Sequence, residues 1–167
     1  VNLFFDPIGF HLKSYNKQTN KLEFVGLFIG PEGGWDEKEI EHYRQVLLAL
    51  RLRGIKTMAT LHHFTTPLWI AEIGGWANPK IVFYFSRFSQ RIFNEYRDLV
   101  DFWIPINEPM NYSSIGYLEA RWVPRKRNPA SFLKVVKNQA DAHKKVYQIF
   151  HKEKPDVKVG NSESYCF

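Results

Sequence analysis

The run Trp103-Ile104-Pro105-Ile106-Asn107-Glu108-Pro109 begins as a buried strand would and ends on three residues that a strand interior disfavours. A glutamate at a strand end, flanked by an amide side chain and followed by a proline, is well placed for proton transfer. Its carboxyl can give a proton to a leaving group and take one from water. Partial burial would disfavour the charged form of Glu108 and raise its pKa, as a general acid near neutral pH requires. An isolated glutamate in this position is most often a solvated loop residue; the neighbours single this one out. Asn107 adds a donor and an acceptor beside it, and "TLHHFTTP" places His63 at the end of another apolar run. His62 and His63 have the chemistry of metal ligands, but no HExxH motif, cysteine partner or paired carboxylate accompanies them, and no metal or other cofactor is expected. Cys166 is read as a small apolar side chain rather than a nucleophile.

These residues need elements to hold them. "LEFVGLFI" (22–29) reads as a buried strand closed by Gly30-Pro31. Asp36 and Glu39 form a capping-box pattern, and Ile40, Tyr43, Leu47 and Leu50 recur at helical spacing until Gly54. "IKTMATL" (55–61) is the next strand and runs into the histidines. Asn78-Pro79 opens a second helix with Val82, Phe85, Phe88, Ile92 and Tyr96 inward. Residues 100–106 form a third strand. Asn128-Pro129 opens a third helix, with Phe132, Val135, Val136, His143, Val146 and Phe150 on or near one face, ending before Lys154-Pro155. A fourth strand begins at Val157. Such alternation demands a parallel sheet with right-handed crossovers. No glycine-rich phosphate turn favours an open doubly wound sheet, whereas His63 and Glu108 fall at the C-terminal strand ends, where barrels carry their chemistry. The expected fold is α/β, part of a (β/α)8 TIM barrel with about four parallel strands, in one domain over 1–167 with 1–21 unassigned. Strand alternation allows only one of the two adjacent histidines to face the barrel axis; the other should pack outside.

With 167 residues the chain can bury a sizeable core. Aromatic residues make up 16% of it, enough for a ring-rich core or a ring-lined cleft. The formal charge of +6 is dispersed, since lysine and arginine alternate with acids along 36–53 and 141–154; only Arg121, Arg125, Lys126 and Arg127 form a compact group, so no nucleic-acid partner is expected. No run approaches the length of a membrane helix, so no membrane partner is expected either. A single cysteine fits a reducing compartment, and a cytoplasmic location is the expectation.

"TLHHFTTPLW", "GGWANP", a phenylalanine-rich helix, "DFWIPINEP", "GYLEARWVPRKRNP" and "VKVGNSESYCF", in this order, closely resemble family 1 glycoside hydrolases, the retaining β-glucosidases and β-galactosidases. The likeness runs from Trp35 to the end. It implies a β-glycoside or sugar ligand, with Glu108 as general acid/base, Asn107 at the sugar 2-hydroxyl and His63 at the 3-hydroxyl. Phe64 stands where the family usually has a tryptophan, and Met110 matches an aglycone-side residue. The family's nucleophile lies in a Glu-Asn-Gly motif that this sequence lacks, so the resemblance implies weak or no hydrolysis by the chain alone. Glu163 ends the last strand, but not at the nucleophile's strand position. A non-catalytic sugar-binding or structural half-barrel is the alternative, and an unrelated βα enzyme acting on a phosphorylated metabolite is a more distant one. The open sheet edges of a half-barrel invite a homo-oligomer.

Overall fold

The computed structural model describes residues 10–16, 21–28 and 37–164. Strand β1 (Phe10–Asn16) pairs antiparallel with β2 (Lys21–Phe28); β2 then pairs parallel with β3 (Lys56–His62), and β3 parallel with β4 (Phe102–Ile106). Beyond β4, isolated parallel bridges join Trp103 to Val159 and Asn107 to Ser162. The described residues therefore carry four parallel positions in barrel order, as the alternation requires, and β1 adds an antiparallel edge within the segment for which the sequence suggests no element. Asp36 of the capping box and Ile29 lie outside the described residues.

Helix α1 (Glu37–Leu52) buries Ile40, Tyr43 and Leu47, and ends where Gly54 adopts φ 70°, a left-handed conformation that costs glycine little. The loop after β3 contains a short α2 (Leu68–Glu72) and a 3-10 turn at Gly75–Ala77. Helix α3 (Ile81–Tyr96) starts two residues after Pro79, because the Asn78 side chain accepts the Lys80 N–H (3.0 Å) and holds that segment as a turn. After β4 comes α4 (Pro109–Tyr117), and the long α5 (Pro129–Glu153) leads back to the sheet. Its N-cap is Asn128, whose Oδ1 accepts from Ser131 N–H at 3.0 Å.

The core lies between sheet and helices. Trp103, fully buried on β4, meets Phe93 of α3 and Phe150 of α5, each with ring centroids at 5.3 Å, and those two rings stack on each other at 4.0 Å. This triad fixes β4 under both helices. The Tyr96 hydroxyl donates to Ile40 O (2.8 Å), and Arg44 pairs with Glu95 (2.7 Å), tying α3 to α1.

Pro105 shapes the outer ladder. Trp103 N–H donates to Lys158 O (2.9 Å), and Gly160 N–H donates to Trp103 O (2.8 Å), so the backbone of residue 103 points toward segment 157–162. Two residues on, Pro105 points the same way but has no N–H, and the next rung is missing. The pairing there is accordingly two isolated bridges rather than a continuous strand.

Candidate active site

Strand register brings the two motifs side by side. His62 is opposite Ile106, and Asn107 N–H donates to His62 O at 3.0 Å. One residue further, Glu108 N–H turns the other way and donates to Ser162 O at 2.8 Å. Glu108 is thus held at the junction of β4 and the 157–162 segment, just past the end of β3. It is half-buried, and Asn107 is 5% exposed.

Glu108 is also the residue before α4, and its backbone is left-handed, with φ 43° and ψ 57°. For a non-glycine residue this costs roughly 1–2 kcal/mol. Pro109 at the first helical position tolerates the abrupt start because its missing N–H would have had no intrahelical partner. The tight turn redirects the chain from strand to helix at the carboxylate itself. Asn111, in the first turn of α4, donates from Nδ2 to Glu108 Oε2 at 3.2 Å. Nothing in the strand-end motif itself marks Asn111 as a partner of Glu108; Pro109 as a helix start would have shown it three residues from Glu108 on the same face.

The adjacent histidines have different surroundings. His62 is buried, with its ring 4.8 Å from Trp76, 5.2 Å from Tyr112 and 6.5 Å from Phe85, and its Nε2 accepts the Trp76 indole N–H at 3.0 Å. Burial, reinforced by the charge of neighbouring His63, pushes His62 down to about 3, so it is neutral at pH 7. His63 is left half-buried at the strand end with its ring against Phe64 at 4.7 Å. Phe64 has φ 73°, a second left-handed residue at the mouth. Its ring is parallel to Tyr112 at 6.4 Å and meets Trp122 at 4.8 Å. Met110 is exposed on α4, two residues past Glu108.

Glu163 follows the residue bridged to Asn107 and comes close to Glu108. Burial first, and the Glu108 charge as well, raise its pKa, while hydrogen bonds from Asn161 and from the Met110 backbone oppose the rise. Behind the site, Ser113 Oγ of α4 donates to Gln139 Oε1 of α5 (2.7 Å), and Asn138 Nδ2 donates to Trp76 O (2.9 Å). These bonds fix the platform under the strand ends. No group of three or more potential metal ligands exists among the described residues.

Comparison with known proteins gives this arrangement a family. Residues 27–166 match the model of glycosyl hydrolase family 1. The chain is 30% identical over 153 residues to a β-galactosidase of Pyrococcus woesei, covering 81% of this chain and 30% of that protein. It is 32% identical over 143 residues to the chloroplastic galactolipid galactosyltransferase SFR2 of Arabidopsis thaliana, covering 75% and 22%. The β-glucosidase of Thermotoga maritima in complex with cyclophellitol superposes with a TM-score of 0.82 at 26% identity, covering 87% of this chain and 35% of that one. The chain thus spans about a third or less of the length of the proteins it matches, within which its strands and helices take the place of part of a TIM barrel. It belongs to glycosyl hydrolase family 1.

Proposed function

We propose that this chain carries the acid/base half of a retaining β-glycosidase site. Glu108 protonates the glycosidic oxygen and later activates water, Asn107 binds the sugar 2-hydroxyl, His63 binds the 3-hydroxyl, and Phe64 and Met110 line the sugar and aglycone sides. The observation that carries this reading is the register: parallel pairing of β3 with β4 sets the His63-Phe64 end beside Asn107-Glu108, with Glu108 fixed by Ser162 O and Asn111. Retaining chemistry requires a second carboxylate roughly 5–5.5 Å from the first, acting as nucleophile. The Glu-Asn-Gly motif expected to supply it is not in this sequence, and Glu163, whose neighbours are Glu108, Asn161 and Met110, is placed on the acid/base side of the site.

Release of nitrophenol from aryl β-glucoside and β-galactoside by the chain tests the proposal, with Glu108→Gln as control and the oligomeric state recorded by light scattering. The expected result is weak or no turnover, with any residual turnover lost in Glu108→Gln. Turnover undiminished in that variant would overturn the role of Glu108. The alternative, a non-catalytic sugar-binding half-barrel, is favoured by sugar binding with no turnover in any assembly that contains the chain.

A further inference from the structure

The compact basic group in 121–127 has no part in the site described above. It occupies the loop between α4 and α5, where Arg121, Arg125, Lys126 and Arg127 are all exposed. Arg121 pairs with Glu119 at 2.6 Å, whereas Arg125, Lys126 and Arg127 make no ion pair among the described residues. Consecutive cations without counter-charges set up a local positive field.

The same loop exposes what a merely solvated surface would hide. Val123, in the middle of the basic run, is 73% exposed, and Trp122 beside it is exposed too. Leu68 of α2 is 78% exposed. It borders the same open groove as Val123, and Pro124 and Lys126 line that groove with them. Single exposed apolar residues need no explanation; a contiguous set does. This set is also fixed in place. Arg121 N–H donates to Ile115 O (3.0 Å), Lys126 N–H to Gly116 O (2.9 Å) and Asn128 N–H to Tyr117 O (2.8 Å), pinning the loop to α4. At Gly116 a Cβ would lie 3.2 Å from Val123 O, so the loop packs flush on the helix.

The combination selects the occupant. A soluble polyanion would meet the cations and leave Leu68 and Val123 in water. An apolar protein face would bury those two and strand Arg125, Lys126 and Arg127 without partners. An anionic bilayer suits both: apolar side chains enter the acyl boundary, a tryptophan lies at headgroup level, and basic residues meet the negative surface potential. No helix among the described residues is long and apolar enough to cross a membrane, so the contact is a surface one. The expectation of no membrane partner rested on spanning length, which a surface contact does not need.

We propose that the α4–α5 loop and α2 together dock the chain on an anionic lipid bilayer, with Val123 and Leu68 entering the interface and Arg125, Lys126 and Arg127 on the headgroups. The proposal does not rest on the sugar-site reading.

The test is co-sedimentation of the chain with vesicles of equal parts phosphatidylcholine and phosphatidylserine, and with vesicles of phosphatidylcholine alone. Binding is expected to the first and not the second, and to weaken as salt is added. Replacing Arg125, Lys126 and Arg127 together by glutamine should weaken binding roughly a hundredfold, about fivefold for each cation. Leu68→Ser with Val123→Ser should weaken it at least about tenfold. Both sets lie on the surface, so near-UV circular dichroism is expected to be unchanged in either variant. Absence of binding to the anionic vesicles would overturn the proposal. Binding that survives Leu68→Ser with Val123→Ser would also overturn it, since the basic group then adsorbs by charge alone, as on a soluble polyanion. A dimer that this double variant dissolves, with no vesicle binding, would make a second copy of the chain the occupant and overturn it equally.

Discussion

At the scale of the residue, position 108 trades stability for geometry. A left-handed glutamate makes no side-chain capping bond here, and the 3.2 Å bond its carboxylate accepts from Asn111 is a long one, too weak to offset the backbone strain. Glu108→Gly should therefore be neutral or stabilising by about 1 kcal/mol in chemical denaturation, since glycine adopts φ near 43° freely and caps a helix tolerably. A clear loss of stability would show that the carboxylate holds the turn. In any assembly that does turn over, Glu108→Gln should lower kcat by roughly 10²–10⁴-fold, the usual worth of a general acid/base. His62 gives a pH signature. Its pKa is 6.5 in the unfolded chain and about 3 when buried, so unfolding takes up a proton between those values. Its contribution is complete above pH 6.5 and is lost as the pH falls toward 3, up to roughly 3 kcal/mol by pH 4. His62→Gln keeps an acceptor within reach of Trp76 and should flatten the fall in stability between pH 7 and pH 4; an unchanged slope would assign it to other groups.

At the scale of the element, the long amphipathic helices and the parallel strands were legible because burial writes them as periodicity. Ile40, Tyr43 and Leu47 mark α1 at spacings of three and four, and Val135, Val146 and Phe150 mark α5. Helix α4 was not legible: "MNYSSIGY" holds two serines and a glycine and shows no clear apolar stripe, and the helix depends on tertiary bonds such as Ser113 to Gln139. The site was legible as motifs and invisible as contacts. Asn107, Glu108 and His63 stand out as strand-end residues, whereas Asn111 and Gln139 reach their partners only once α4 and α5 are in place, and Trp76 only once the loop after β3 folds back onto His62. Asn128→Ala removes the α5 cap and should cost about 1 kcal/mol, measurable as a lower denaturation midpoint with unchanged m. No change would mean that Pro129 and packing suffice to start the helix.

At the scale of the whole molecule, the described sheet has two edges, β1 on one side and the 157–162 segment on the other, where Pro105 has already interrupted the ladder. Unpaired strand groups at such edges favour association with another chain. Sedimentation velocity is expected to show concentration-dependent dimers, whereas a monomer at high concentration would show the edges to be protected. The interior rim matters more than the edges: two parallel strands bring the ends carrying His63, Asn107 and Glu108 side by side, which is the surface proposed to bind the sugar. The most direct measurement is an NMR titration of the folded chain with methyl β-D-glucoside. Saturable shifts at Asn107 and His63, with Trp103 in the core unmoved, are the expected result. A folded chain whose Asn107 and His63 signals ignore the sugar at saturating concentration would contradict the account.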